Sequence, residues 1–279
     1  MAGSPLFRPR LLAEALELLA ETPDARPISG GATLVAMINA GLVAPPALVS
    51  LTRIEELRGV NILENGDIFI GAAVKHNAIA TDGRLTGTAG VVSHAASQIA
   101  GTAVRNMGTI GGALSHADPG QDFPPALCAV DAVVEVASKD RRRKVPVREF
   151  FIDWFTTALE PGEIVVGVKI PKPVPGVGLY LKHARVSGDF AIASVALSVA
   201  ADGQVRVAIG GCGPKPITSG DADAILSSEK SRVAIGRAGD ILTALSNPLD
   251  DVRGSAAYRR LLIPRMLQRA IEDAAASKH

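Results

Sequence analysis

Two glycine-rich turns in this chain carry the residue types that grip an anion through the main chain. One, Gly108-Thr109-Ile110-Gly111-Gly112, sits at the centre of the stretch IAGTAVRNMGTIGGALSHADPGQDFPP, residues 99–125. The other, Ser29-Gly30-Gly31-Ala32-Thr33, lies far upstream. Glycine permits φ > 0 and a close approach of ligand to backbone, and successive N–H groups in such turns point at anionic oxygens. Two glycine pairs, each beside a hydroxyl side chain, suit one long cofactor held at two points, with a pyrophosphate as the anion. Taken singly, a glycine pair is more often an ordinary tight turn. No Gly-Lys-Ser/Thr follows either turn and neither reads G-x-G-x-x-G, which sets aside the phosphate loop and the dinucleotide fingerprint.

Other chemistry is sparse. Cys128 and Cys212 are the only cysteines and lie far apart, whereas an iron–sulfur cluster takes four; both read as small buried residues. His76, His94, His116, His183 and His279 are scattered, with no zinc spacing, and no Ser/His/Asp or Cys/His set offers a nucleophile. The net charge of +1 and an aromatic content of 4% argue against a nucleic-acid partner. No apolar run reaches the ~18 residues of a spanning helix, and the start MAGSPLFRPRLL has no charged-then-apolar leader. The expected location is cytoplasmic.

The elements that must position the turns follow from periodicity. Apolar residues at 11, 12, 15, 16 and 19 predict a helix over Arg10–Ala20. Thr33 is placed to cap a helix running to Gly41, and Ala47–Leu51 reads as a strand. Asn65-Gly66 marks a hairpin between Val60–Leu63 and Ile68–Ile70. Helices are expected over Gly90–Ala100 and Pro124–Ala129, with capping of the second as one reading of Asp122, and strands over Ala132–Ala137, Val145–Val147 and Ile164–Ile170. Asp140-Arg141-Arg142-Arg143-Lys144 reads as a hairpin tip whose like charges face water. The Pro171–Gly176 cluster is the best linker. Strands Leu179–Ala184, Phe190–Ala200 and Val205–Gly210 come next, the last two joined at Asp202-Gly203. Helices Arg232–Leu245 and Ala256–Ala275 follow, the latter with Leu262, Met266, Ile271 and Ala274 on its apolar side. Strands followed by helices indicate a separate α+β domain.

These residues resemble the FAD-binding medium subunit of molybdenum hydroxylases, the group of aerobic carbon monoxide dehydrogenase and of the xanthine dehydrogenase flavin domain. The resemblance spans nearly the whole chain. It rests on the segments 27–34, 57–60 and 70–76, on Val104-Arg105-Asn106-Met107-Gly108-Thr109-Ile110-Gly111-Gly112, and on His116-Ala117-Asp118-Pro119. Glu163-Ile164-Val165, the segments 182–185 and 188–191, and Tyr258-Arg259-Arg260 extend it. It implies an α+β protein: a two-lobed FAD-binding domain of the vanillyl-alcohol oxidase (PCMH) type over residues 1–174, with lobes of about 1–55 and 56–174. A smaller α+β domain of three antiparallel strands plus helices follows over 177–279.

It further implies FAD, with Ser29, Gly30, Gly31, Ala32 and Thr33 and Thr109, Ile110, Gly111, Gly112 and Ala113, entered through Gly108, wrapping its pyrophosphate. Asp122 would hydrogen-bond the adenosine part, Ile99 line the cofactor, Val165 touch the flavin through its backbone, and Lys182 reach the ring or ribityl chain. Phe190 would stand beside the isoalloxazine as a flat apolar wall. Ser29, Ala32 and Ala113 depart from the family's usual residues and leave fewer side-chain hydrogen bonds to the cofactor. The implied partners are a large molybdopterin-containing subunit and a small [2Fe–2S] subunit, assembled as a dimer of heterotrimers. Electrons would pass from the clusters to the flavin and on to an external acceptor. No catalytic base and no metal ligand is expected in this chain. Two other readings stay open: a self-sufficient flavin oxidase, and a scaffold subunit with weakened FAD binding.

Overall fold

The structure, a computed structural model, describes residues 4–277; Met1–Gly3 of the N-terminal stretch and His279 lie outside the described residues. The chain opens with β1 (Leu6–Phe7), α1 (Leu12–Glu21), β2 (Arg26–Ile28), α2 (Leu34–Asn39) and β3 (Leu48–Ser50), the strands pairing in parallel in the order β1-β3-β2. α1 begins where the Glu14 carboxylate accepts from the N–H groups of Arg10 and Leu11. It buries Leu12, Ala15 and Leu16 against Val49, Leu51, Ile54 and Leu57. α2 differs: all its side chains but Asn39 are apolar, yet none is buried. Thr33 precedes α2 in a helical conformation and makes no capping bond.

The next lobe is built on β4 (Val60–Ile62), β5 (Ile68–Gly71), β6 (Val133–Ala137), β7 (Arg142–Pro146) and β10 (Ile164–Ile170). They form one antiparallel sheet in the order β4-β5-β10-β6-β7. Between β5 and β6 run α3 (His76–Ala80), α4 (Gly90–Ser97), α5 (Thr102–Arg105), α6 (Ile110–His116) and α7 (Phe123–Cys128). Between β7 and β10 lie α8 (Val147–Phe150) and the short pair β8 (Phe151–Asp153) and β9 (Thr156–Thr157). β10 shows how pattern becomes packing. Ile164 and Val166 face the core shared with α1, while Val165, Val168 and Ile170 face the core under the helices. The odd-to-even switch is a bulge between Val165 and Gly167, which resets the two-residue alternation.

The basic run departs from expectation. β7 starts at Arg142, and these charges, though Arg141, Arg142 and Lys144 still face water, are each paired with a carboxylate. Arg143 makes a two-pronged contact with the Glu163 carboxylate (2.8 and 2.6 Å), Arg141 donates to Glu160 (2.5 Å), and Arg142 pairs with Glu56 (2.5 Å). Arg143 holds the Glu163 carboxyl below the usual carboxylate range. The acids come from segments remote in sequence, so no local pattern shows them. Val147 likewise begins a helical turn and does not extend the strand.

The C-terminal layer is an antiparallel sheet of β11 (Gly176–His183), β12 (Ala193–Ala200) and β13 (Val205–Gly210), in the order β11-β12-β13. It is followed by α9 (Gly220–Ser228), α10 (Arg232–Ala244) and α11 (Ala256–Ala276). α9 was not expected; Ser219 caps it by accepting from the Ala222 N–H. β12 is buried along its length. Val195, Leu197 and Val199 pack under the helices, while Ala196 joins Tyr180 and Ala208 in the core of the preceding lobe. A strand covered on both faces reads as a near-continuous apolar run, here interrupted only by Ser194 and Ser198. Burial pushes both thiols, Cys128 and Cys212, up to about 12, as inert core residues require. No helix among the described residues is long and apolar enough to cross a membrane.

Candidate functional site

The two glycine turns meet. The first follows β2 and leads into α2; the second joins α5 to α6. Gly30 is seated directly on the second turn: a Cβ added there would lie 1.9 Å from the Met107 carbonyl oxygen and 3.1 Å from Gly108 Cα. The second turn is pinned in turn to the start of α3, where Lys75 Nζ donates to the Met107 carbonyl (2.7 Å) and the His76 N–H to the Gly108 carbonyl (3.1 Å). Gly31 holds φ +77°, which bends the first turn back on itself.

Their backbone donors are used differently. In the second turn, Ile110 N–H donates to Val74 and Gly111 N–H to Ala72, both carbonyls of the strand side, while Gly112 N–H turns to Thr109 Oγ1. In the first turn the N–H groups of Ser29, Gly30, Gly31, Ala32 and Thr33 have no hydrogen-bond partner among the described residues. The first turn is therefore the donor nest, and the second supplies a glycine surface and the Thr109 hydroxyl.

Both turns line one cleft of about 1700 Å³, beyond the ~300–1,000 Å³ of an ordinary ligand pocket and suited to an elongated dinucleotide. Ile99, Gly108, Thr109, Gly111, Gly112, Ala113, Asp122, Val165 and Phe190 share its wall with residues 29–33. Ile110 does not: its side chain is fully buried in the core and its N–H is spent. Lys182 does not line the cleft either, but a neighbouring cavity. It reaches the site through Asp122, whose Oδ2 accepts from Lys182 Nζ (3.1 Å) and whose Oδ1 accepts from the Tyr180 hydroxyl (2.7 Å). Asp122 makes no capping bond to α7. Burial pushes its carboxyl up, and the Lys182 charge and the Tyr180 hydroxyl pull it back. Phe190 stands at the mouth, 41% exposed, with the Arg253 guanidinium 5.2 Å from its ring centre.

Three buried polar atoms on this wall have no partner among the described residues: Ser29 Oγ, His76 Nδ1 and Gln121 Oε1. An unsatisfied buried polar group costs about 1–3 kcal/mol, so their convergence on a cleft with a donor nest fits a polar ligand such as FAD. His76 and Gln121 are not among the expected contacts, although His76 itself closes the matched segment 70–76 and Gln121 follows the matched His116–Pro119. Burial, with Lys75 beside it, pushes the His76 imidazole down to about 4 from 6.5. The unfolded chain then takes up that proton first as the pH falls. His76 adds nothing to pH dependence above 6.5 and should remove roughly 3 kcal/mol of stability between pH 6.5 and 4. Asp223, raised by burial to about 6, acts in the opposite direction in both proteins compared. Urea unfolding at pH 7 and 4.5 should show wild type losing more stability than His76→Gln; equal losses would refute the assignment.

A model for the FAD binding domain in molybdopterin dehydrogenase matches residues 2–173, and one for the CO dehydrogenase flavoprotein C-terminal domain matches 179–274. The glyceraldehyde dehydrogenase medium chain of Sulfolobus acidocaldarius is 32% identical, over 96% of this chain and 97% of that one. The carbon monoxide dehydrogenase medium chain of Hydrogenophaga pseudoflava is 32% identical over 95% of each. The solved carbon monoxide dehydrogenase from that organism, in a form lacking the Mo-pyranopterin moiety of its cofactor, superposes with a TM-score of 0.93 at 31% identity, covering 98% of both chains. Cleft, topology and likeness agree end to end, and the chain belongs to the FAD-binding flavoprotein subunits of the molybdopterin dehydrogenases, an oxidoreductase family.

Proposed function

We propose that this chain is the electron-transfer subunit of a heterotrimeric molybdenum hydroxylase. It would take electrons from the [2Fe–2S] clusters of a small partner, themselves supplied by a large molybdopterin subunit, and deliver them to an external acceptor. The observation that carries the reading is the seating of Gly30 on the Met107 carbonyl, which brings an unpaired donor nest against a glycine surface in one cleft. Bound FAD supplies the redox chemistry, as cofactors do, while the protein supplies position and access.

The roles follow from the wall. The N–H groups of residues 29–33 bind the pyrophosphate, with the Thr109 hydroxyl and the Gly112 surface opposite. Asp122, kept in place by Lys182 and Tyr180, accepts from the adenosine part. Ile99, the backbone of the bulged Val165 and the ring of Phe190 flank the flavin and keep water from it. Lys182 acts through Asp122. Residues 1–174 form the FAD-binding domain and 177–279 the C-terminal domain, and the assembly is a cytoplasmic dimer of heterotrimers. The named relatives oxidise different compounds, which fits a substrate chosen by the large subunit.

Purified chain should take up FAD and absorb near ~450 nm, a property of the ring, and should assemble with the large and small proteins when the three are produced together. A folded chain that binds no added FAD sinks the proposal. Turnover of an organic substrate by the isolated chain would replace it with the oxidase reading. A flavin-free chain that still assembles would replace it with the scaffold reading.

A further inference from the structure

Beside the FAD cleft lies a second cavity, of about 640 Å³, which meets the first at Ala100 and Gly188. Its wall carries the cations Arg105, Lys182 and Arg185 and the hydroxyls of Ser97, Thr102 and Ser187, and no carboxylate. The Lys182 ammonium is already spent, donating to the Asp122 carboxylate (3.1 Å) and to the Gln98 carbonyl (3.1 Å). The other two cations have no carboxylate partner among the described residues. Arg105 donates to the carbonyls of Ile99 (2.8 Å) and Ala100 (2.6 Å) and to Thr102 Oγ1 (3.2 Å), and Arg185 donates to the Val252 carbonyl (3.2 Å).

Uncompensated charge of one sign in a recess attracts the opposite sign strongly, and guanidinium forks match the geometry of phosphate oxygens. The volume falls within the range of small-molecule pockets, about 300–1,000 Å³. The partition from the FAD cleft is backbone: Ala100 holds φ 41°, and Gly188, at φ 84°, lies so close that a Cβ would stand 3.1 Å from the Ala100 carbonyl. The dividing wall is thin and strained, of the kind that sits beside functional sites.

We propose that this cavity is a second ligand site, taking the phosphoryl group of a small anion between the guanidinium groups of Arg105 and Arg185.

The test is calorimetric titration of the full chain, loaded with FAD, in chloride buffer, with inorganic phosphate in one arm and AMP in the other. Saturable binding is expected in at least one arm: tighter AMP points to a phosphate ester as ligand, equal affinity to free phosphate. Arg185 is exposed and replaceable, so Arg185→Gln should weaken binding about tenfold and Arg185→Glu should abolish it. The proposal is overturned by no saturable binding in either arm, or by binding indifferent to Arg185. Binding confined to the flavin-free chain and lost on FAD loading also overturns it, because the cavity would then be part of the cofactor's bed. Should the chain take up no FAD at all, the flavin absorbance reports that failure separately. The same titration, made on Gly112→Val to close the main cleft, would still decide the second site.

Discussion

Gly30→Val is expected to yield protein without flavin and with a lowered melting temperature. The glycine is the point at which the two turns touch: any Cβ would sit 1.9 Å from the Met107 carbonyl oxygen, and a backbone oxygen cannot swing aside as a flexible side chain would. The turns must part by more than an ångström, which separates the donor nest from the glycine surface opposite. Overpacking of this kind costs typically 1–3 kcal/mol, and the flavin content should fall below about a tenth of wild type, a loss of more than 1.4 kcal/mol in binding. Gly112→Val is the control. Gly112 is exposed on the cleft side, and its added Cβ would meet only Thr109 Oγ1, at 3.1 Å. That variant should lose flavin while melting within a few degrees of the flavin-free wild type. Gly111 is no substitute, because its Cβ would strike Ala72 Cβ at 2.6 Å and damage the core. The flavin absorbance ratio and thermal melts of the three proteins decide the matter; Gly30→Val with full flavin content would show that the contact between the turns is incidental.

What could be read from the sequence, and what could not, divides by the range of the interaction. The hairpins at Asn65-Gly66 and Asp202-Gly203, the helix over Leu12–Glu21 and the apolar strands β10 and β12 are written in neighbouring residues. The glycine turns were legible for the same reason, since a need for close approach is stated by the glycine itself. The pairing of Arg141, Arg142 and Arg143 was not, because Glu56, Glu160 and Glu163 arrive from other segments. Nor was the unequal use of the turns: whether an N–H is free depends on the carbonyls of Ala72 and Val74, which only the folded chain brings to the second turn. Lys182 is the sharpest case. A lysine in a strand reads as a charge facing either water or a ligand, yet here its side chain is 4% exposed and its charge is committed to Asp122.

That commitment predicts the largest single loss of stability. Lys182→Met removes the cation from a carboxylate that is itself only 5% exposed, and breaking a buried pair by deleting one partner costs about 3–5 kcal/mol. Burial already pushes the Asp122 carboxyl up, and without Lys182 nothing but the Tyr180 hydroxyl opposes it. The folded-state pKa of Asp122 then rises further above its unfolded value. A raised carboxyl favours the fold only below its unfolded pKa, and that advantage disappears as the pH climbs through the folded pKa. The deficit of Lys182→Met against wild type should therefore be full at pH 8 and shrink on acidification, the reverse of the His76 effect. Adding Asp122→Asn should recover most of the loss at pH 8, since an amide keeps an acceptor for Tyr180 and carries no charge to leave stranded. Urea unfolding of the four proteins at pH 8 and pH 5 closes the double-mutant cycle. A deficit under 1 kcal/mol that ignores pH would mean the pair is not what holds Asp122 in the cleft wall. FAD titrations on the same proteins test the route from Lys182 to the cofactor. If Lys182 acts through Asp122, the single variants and the double variant should lose FAD affinity alike; a larger loss in the double variant would mean the lysine contacts the cofactor on its own account.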